Sequence, residues 1–218
     1  MDHPHVIKLH GVFEDSRRVY LAMELASGGE LFDRIVEARR FPEDCAGVVM
    51  RQMLSAISYV HGCSIAHRDI KPENFVLSRP GPIEGNVLKL IDFGFACRCE
   101  PGQTLRSTIG SSIYMAPQVA LGRYDRACDL WSVGVVMYIL LRGKAPIDGG
   151  SDLNTLALVR RGRWSFQGRV WEQVTAEAKD LVSALLTMRP ALRLNAESAL
   201  HHPWIQQAAV QPDGIANV

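Results

Sequence analysis

Two short stretches of the 218-residue chain carry side chains suited to one kind of chemistry. His67-Arg68-Asp69-Ile70-Lys71-Pro72-Glu73-Asn74 follows a long segment with an apolar stripe, and Asp92-Phe93-Gly94 follows a short apolar run. Asp69 can accept the hydrogen of a hydroxyl, Asn74 and Asp92 offer the hard oxygen ligands that Mg²⁺ prefers, and Lys71 can offset charge on a transferring anion. Phosphoryl transfer needs that set, because its catalysis is mainly positioning and neutralisation of charge. Alone, each stretch has a plainer reading: Arg-Asp as a surface ion pair, Asp-Phe-Gly as a turn. Both in this order, with Ala116-Pro117 downstream, favour the chemistry.

The elements that must hold these residues can be read from periodicity. Val6-Ile7-Lys8-Leu9 and Val19-Tyr20-Leu21-Ala22-Met23 predict two strands around a polar break at Glu14-Asp15-Ser16. Ser27-Gly28-Gly29 ends the second, and Glu30 to Val36 has apolar residues at helical spacing. Pro42-Glu43-Asp44 starts a long amphipathic helix whose stripe of Val48, Val49, Met53, Leu54, Ile57 and Val60 runs to Gly62. Phe75-Val76-Leu77 and Val87-Leu88-Lys89-Leu90-Ile91 predict two short strands flanking the turn-rich residues 78–82. Beyond Pro117 the pattern is helical, with an all-round apolar helix near 128–141 and another near 175–187. Residues 206–218 have few large apolar side chains and are expected to fray.

Composition removes other classes. The chain is 47% hydrophobic, and its 24 basic and 23 acidic side chains leave a net charge of +1, so no overall field draws it to nucleic acid or an anionic membrane. Its partners must be recognised locally. Five scattered cysteines, an odd number, fit reduced thiols and a cytoplasmic location better than a disulfide framework. Cys97 and Cys99 have no second pair or histidine at zinc-like spacing and read as loop thiols. No charged-then-apolar leader follows Met1. The most apolar run, near 130–141, falls short of the roughly 20 residues that span a bilayer and suits a buried helix.

From Asp2-His3-Pro4 to His202-Pro203-Trp204-Ile205 the chain resembles the eukaryotic-type protein kinases. Within them it looks most like the calcium/calmodulin-regulated and calcium-dependent group. The motifs that carry this are Gly28-Gly29-Glu30-Leu31-Phe32-Asp33-Arg34-Ile35, Pro82-Ile83-Glu84, Asp129-Leu130-Trp131-Ser132-Val133-Gly134 and Ala196-Glu197-Ser198-Ala199-Leu200-His201-His202-Pro203-Trp204. The resemblance implies an α+β kinase-like fold over residues 1–205, with 1–25 as a remnant of a small lobe and hinge and 26–205 as a mainly helical large lobe. It also implies transfer of the ATP γ-phosphate, with Mg²⁺, to serine or threonine of a protein substrate with basic residues nearby.

The same resemblance assigns further roles. Met23 would stand behind the adenine, the main chain of Glu24 and Ala26 would bond its edge, and Val76 and Ile91 would line it. Glu30 would touch the ribose or a basic substrate residue, Glu73 another substrate Arg or Lys, and Ser111 the substrate. Thr104, Ser107 and Thr108 are candidate phosphorylation sites in the activation segment, with Arg68 as counter-charge. His67, Phe93 and Gly94 frame the two loops, and Asp129 would brace the backbone of the catalytic loop.

The chain also departs from the family. A Gly-rich loop, a strand lysine and the helix glutamate that holds it find no match in these 218 residues, so the chain is expected to start within the domain, as an incomplete gene product, and to work poorly alone. It has no Asp-x-Asp-x-Asp-Gly loop, and no calcium site is expected within it. Gln118 stands where the family has glutamate, with Arg193 as the expected partner. Two other readings stay open: a catalytically silent docking or decoy lobe, and a fragment that does not fold.

Overall fold

The computed structural model describes residues 1–208. Strands β1 (Leu9–Glu14) and β2 (Val19–Met23) form an antiparallel hairpin with an irregularity between Leu9 and Gly11. Its turn is closed by Asp15, whose carboxylate accepts from the amides of Arg17 and Arg18 and the Tyr20 hydroxyl. The first strand therefore starts at Leu9 and not at Val6. Val6 is buried and makes a single parallel bridge to Leu90, while Leu90 N–H donates to the His5 carbonyl and Ile7 N–H to the Leu90 carbonyl. Its apolar side chain is worth more in the core than on an open hairpin.

Helix α1 (Leu31–Ala38) buries Leu31 and Ile35. Helix α2 (Glu43–Gly62) opens on Pro42 and two acids and carries much of the core. Next come β3 (Ile65–Ala66), a 3₁₀ turn at Pro72–Asn74, β4 (Phe75–Leu77), β5 (Leu88–Leu90) and β6 (Cys97–Arg98). β4 pairs antiparallel with β5, and β3 with β6, so two small sheets clamp the segments bearing Asp69 and Asp92. Gln52 of α2 fixes β5 from below: its carbonyl accepts from Leu88 N–H at 2.7 Å and its amide donates to the Asn86 carbonyl at 3.1 Å.

The remaining helices are α3 (Pro117–Ala120), α4 (Ala127–Arg142), α5 (Asp152–Arg161), α6 (Ala176–Leu185), α7 (Ala196–Leu200) and α8 (Pro203–Ala208). Ser151, Thr175 and Asn195 cap α5, α6 and α7 by accepting an amide hydrogen bond. α4 is buried on nearly every side, as its composition requires, and Gly134 lets α6 approach closely. Glu43 links distant elements: it accepts from Thr175 N–H and the Thr175 hydroxyl, each at 2.7 Å, and from the Trp204 indole at 2.8 Å. Residues 206–208, expected to fray, lie in α8, and the rest of that expectation, 209–218, falls outside the described residues. All five cysteines are unpaired. No helix among the described residues is long and apolar enough to cross a membrane. The architecture is the mainly helical α+β arrangement expected.

Candidate active site

Asp129, in the first turn of α4, organises the site from behind. One carboxylate oxygen accepts from His67 N–H at 2.9 Å and His61 Nε2 at 2.8 Å, and the other from Arg68 N–H at 2.8 Å. Burial pushes the Asp129 pKa up, but the bond and charge of His61, aided by His67, outweigh it and hold the carboxyl below its ordinary range. The two amides gripped this way keep Arg68 at φ 69°, a left-handed conformation a non-glycine residue adopts only when its surroundings over-determine it. Asp129 thus braces the backbone that carries Asp69.

Asp69 is nearly buried, and four donors reach its carboxylate. Lys71 Nζ lies at 2.6 Å and Asn74 Nδ2 at 3.2 Å from one oxygen, and the Ser111 hydroxyl and amide lie at 3.1 and 3.2 Å from the other. Burial raises its pKa, yet Lys71, Ser111 and Asn74 together bring it below the ordinary value. The Lys71 ammonium also donates to the Ser111 hydroxyl at 3.3 Å. Gly110, before this serine, has φ 100°, and a Cβ there would come within 2.6 Å of the Arg68 carbonyl. Only glycine lets the activation segment lie so close to the catalytic loop.

Asn74 spends its amide hydrogens on Asp69, the second bond being to the main-chain carbonyl at 2.7 Å. Its side-chain oxygen has no protein donor among the described residues. Ile91 N–H donates to the Asn74 carbonyl at 2.9 Å, which brings Asp92 to the same place. Asp92 is exposed at φ 55°, and one of its oxygens accepts from Gly94 N–H at 3.0 Å. An amide oxygen and a carboxylate oxygen without protein donors form a donor set that suits a hard cation, so these residues fit Mg²⁺. His67 ties the two loops: its Nε2–H donates to the Ile91 carbonyl at 3.2 Å, Nδ1 accepts from Asp69 N–H, and Phe93 packs edge-on at 5.0 Å. Burial lowers its pKa, in keeping with a neutral ring.

The residues expected around a nucleotide form an open edge. Met23 is exposed, Val76 and Ile91 are half-buried, and Glu30 bridges Val76 at the start of α1. The Glu24 carbonyl and Ala26 N–H make no hydrogen bond among the described residues, so both are available to a ligand. The Glu24 carboxylate is turned away to Lys89 Nζ at 2.9 Å and Lys8 N–H at 2.8 Å.

Thr104, Ser107 and Thr108 are all exposed. Arg68 reaches towards them: Nε donates to the Phe95 carbonyl at 2.7 Å and Nη1 to the Tyr124 hydroxyl at 3.4 Å, which itself donates to the Ser107 carbonyl at 2.7 Å. Glu73 is half-buried, with one carboxylate oxygen enclosed and without a partner among the described residues. Arg193 and Gln118 meet as expected, Nη2 donating to the glutamine oxygen at 2.9 Å. Glu172 and Glu177, which could have served instead, make no ion pair with Arg193.

His61 and Tyr124 were not anticipated. His61 left a trace in the sequence, being four residues after Ile57 on the buried stripe of α2, where a polar group must find a partner. Tyr124 left none.

A protein kinase domain family model matches residues 1–205. Calcium-dependent protein kinase 3 of Plasmodium berghei (strain Anka) is 43% identical over 208 residues, covering 95% of this chain and 37% of that protein. Calcium-dependent protein kinase 5 of Plasmodium falciparum (isolate 3D7) is 41% identical over 207 residues, 95% of this chain and 36% of that protein. The chain thus spans under two fifths of the length of these curated relatives. With a matching model over nearly its whole length, and Asp69, Asn74 and Asp92 gathered at one site, the chain belongs to the protein kinase domain family and is similar to its calcium-dependent members.

Proposed function

We propose that the chain supplies the catalytic and substrate-binding part of a serine/threonine protein kinase that uses ATP and Mg²⁺. One observation carries this reading: Asp69, Lys71 and Asn74 share one hydrogen-bonded cluster, and beside the Asp92 loop the Asn74 side-chain oxygen has no donor among the described residues. Residues 1–25 are taken as the hinge-side remnant of a small lobe, and 26–205 as the large lobe.

The residues divide the work. Asp69 orients the acceptor hydroxyl and takes its proton as oxygen bonds to the γ-phosphorus and the bond to the ADP oxygen breaks. A carboxylate with a lowered pKa is a weak base in the ground state, so it orients first and accepts the proton late. Lys71 holds positive charge next to the transferring group. Asn74 and Asp92 would hold Mg²⁺, which supplies charge neutralisation on the phosphates. The Glu24 carbonyl and Ala26 N–H would meet the adenine edge, with Met23, Val76 and Ile91 around the ring and Glu30 at the ribose. Glu73, with its unpartnered oxygen, favours a basic residue in the protein substrate. Five unpaired thiols support a cytoplasmic setting.

Titration with an ATP analogue tests the reading. Binding to the 218-residue chain should require Mg²⁺ and weaken by at least about tenfold, or 1.4 kcal/mol, in Asp92→Ala and Asn74→Ala. Nucleotide binding indifferent to Mg²⁺ and to both substitutions would overturn it.

A further inference from the structure

A cavity of about 570 Å³ opens beside the catalytic loop, lined by Glu73, Tyr114, Ser112, Asp152, Phe32 and Leu156 among others. Two of these residues are acids from different elements. Glu73 comes from the 3₁₀ turn of the catalytic loop, and Asp152 is the first residue of α5. Glu73 has an enclosed carboxylate oxygen with no donor among the described residues, an arrangement that costs free energy and favours an arriving cation. Its charge is felt within the cavity wall, where burial, then Glu73 and Asp69, push the Tyr114 hydroxyl well above its ordinary range.

Asp152 is exposed and makes no ion pair among the described residues. It is nevertheless held, because the Ser112 hydroxyl donates to one of its oxygens at 2.5 Å. The segment that latches Ser111 onto Asp69 therefore also holds Asp152 at the cavity. Its second oxygen has no protein donor among the described residues.

We propose that Asp152 is a specificity-determining residue that reads a second basic side chain of the protein substrate, so that the cavity selects segments with two basic residues, one for Glu73 and one for Asp152. This rests on the kinase reading of the site and extends it. Two carboxylates in one concave site favour an extended dibasic segment over a singly basic one. Because Asp152 is held through Ser112, the second recognition exists only while the activation segment is seated on the catalytic loop.

Fluorescence polarisation with labelled peptides tests this on the 218-residue chain. The probes are a serine peptide with two arginines, the two single Arg→Ala versions, and one with neither. Asp152→Asn should weaken the dibasic peptide by about threefold to fivefold, the size of one solvent-screened ion pair. It should leave one of the two singly basic peptides unchanged, and the difference should shrink as salt is raised. Equal weakening of every peptide, or no change, would overturn the proposal. Glu73→Gln separates the two levels of the argument. If it weakens basic peptides while Asp152→Asn does nothing, only the inference about Asp152 fails. If neither matters and no peptide prefers base, the substrate reading itself fails with it.

Discussion

Gln118 lies between two groups that ask for opposite things. Arg193 needs an acceptor, and the Met188 carbonyl receives a hydrogen bond from the Gln118 amide nitrogen. Arg193 is already well supplied: it donates to the carbonyls of Thr187 and Ala127 and lies over the Trp131 ring at 5.2 Å. Burial nevertheless pulls its pKa down to about 10. Gln118→Glu adds the missing negative charge and also sets a carboxylate oxygen against the Met188 carbonyl. A stabilisation of about 1 kcal/mol is expected, below the roughly 3–5 kcal/mol lost when a buried pair is broken. It should vanish in an Arg193→Met background, which denaturant midpoints of the four combinations will show. A second residue-level expectation concerns acid. His3, His5 and His67 all have pKa values lowered by burial from an ordinary 6.5, so the unfolded chain takes up protons that the native state resists. Stability should therefore fall as pH drops from 6.5 towards the native values, and the slope should be shallower in His67→Gln, measured by urea unfolding at a series of pH values. Asp69 and Asp129 are depressed carboxyls, so their contribution should be lost only at lower pH, from their ordinary value of 3.8 downward.

At the level of elements, Gly134 shows how much packing depends on a missing side chain. A Cβ at this position of α4 would fall 2.8 Å from Leu185 Cβ and 2.9 Å from a Leu186 methyl. Gly134→Ala should raise intrinsic helix propensity and still destabilise the protein by about 1–3 kcal/mol, because α6 cannot move away without opening the core. Thermal unfolding of that variant beside Ser132→Ala, on the same helix, checks it. α4 and α2 were legible from residue pattern, since an all-round apolar run and an apolar stripe that opens on proline and two acids each have few other solutions. That Asp69 and Asn74 would meet, with the Asp92 loop beside them, was legible because phosphoryl transfer restricts residue types and their order. Val6 was not, because a β-branched residue near a strand can equally pair with a distant edge. The Ser112–Asp152 bond was hidden for a different reason: its partners lie 40 residues apart, and neither has a distinctive neighbourhood.

For the molecule as a whole, the hairpin is the exposed feature. Val12, Phe13, Val19, Tyr20, Leu21 and Met23 each keep about half or more of their surface in contact with solvent, and Leu25 keeps 87%. Apolar surface of this kind on both faces of an open hairpin, on a chain with net charge +1, favours association. The 218-residue chain should self-associate as concentration rises, and Phe13→Glu with Leu21→Lys should reverse this in light scattering. A monodisperse wild-type chain at high concentration would count against it.

The Glu43 carboxylate has a consequence in time. Its donors lie 132 residues later at Thr175 and 161 residues later at Trp204, so α2 cannot acquire its final anchors until most of the chain has been made. Contacts this remote in sequence slow folding and leave early segments waiting with apolar surface uncovered. On a ribosome adding about 5–20 residues per second, the start of α2 would wait roughly 8–30 s for Trp204 to be added. During that interval the nascent chain is a substrate for chaperones, and a chain stopped before Trp204 would remain in that state.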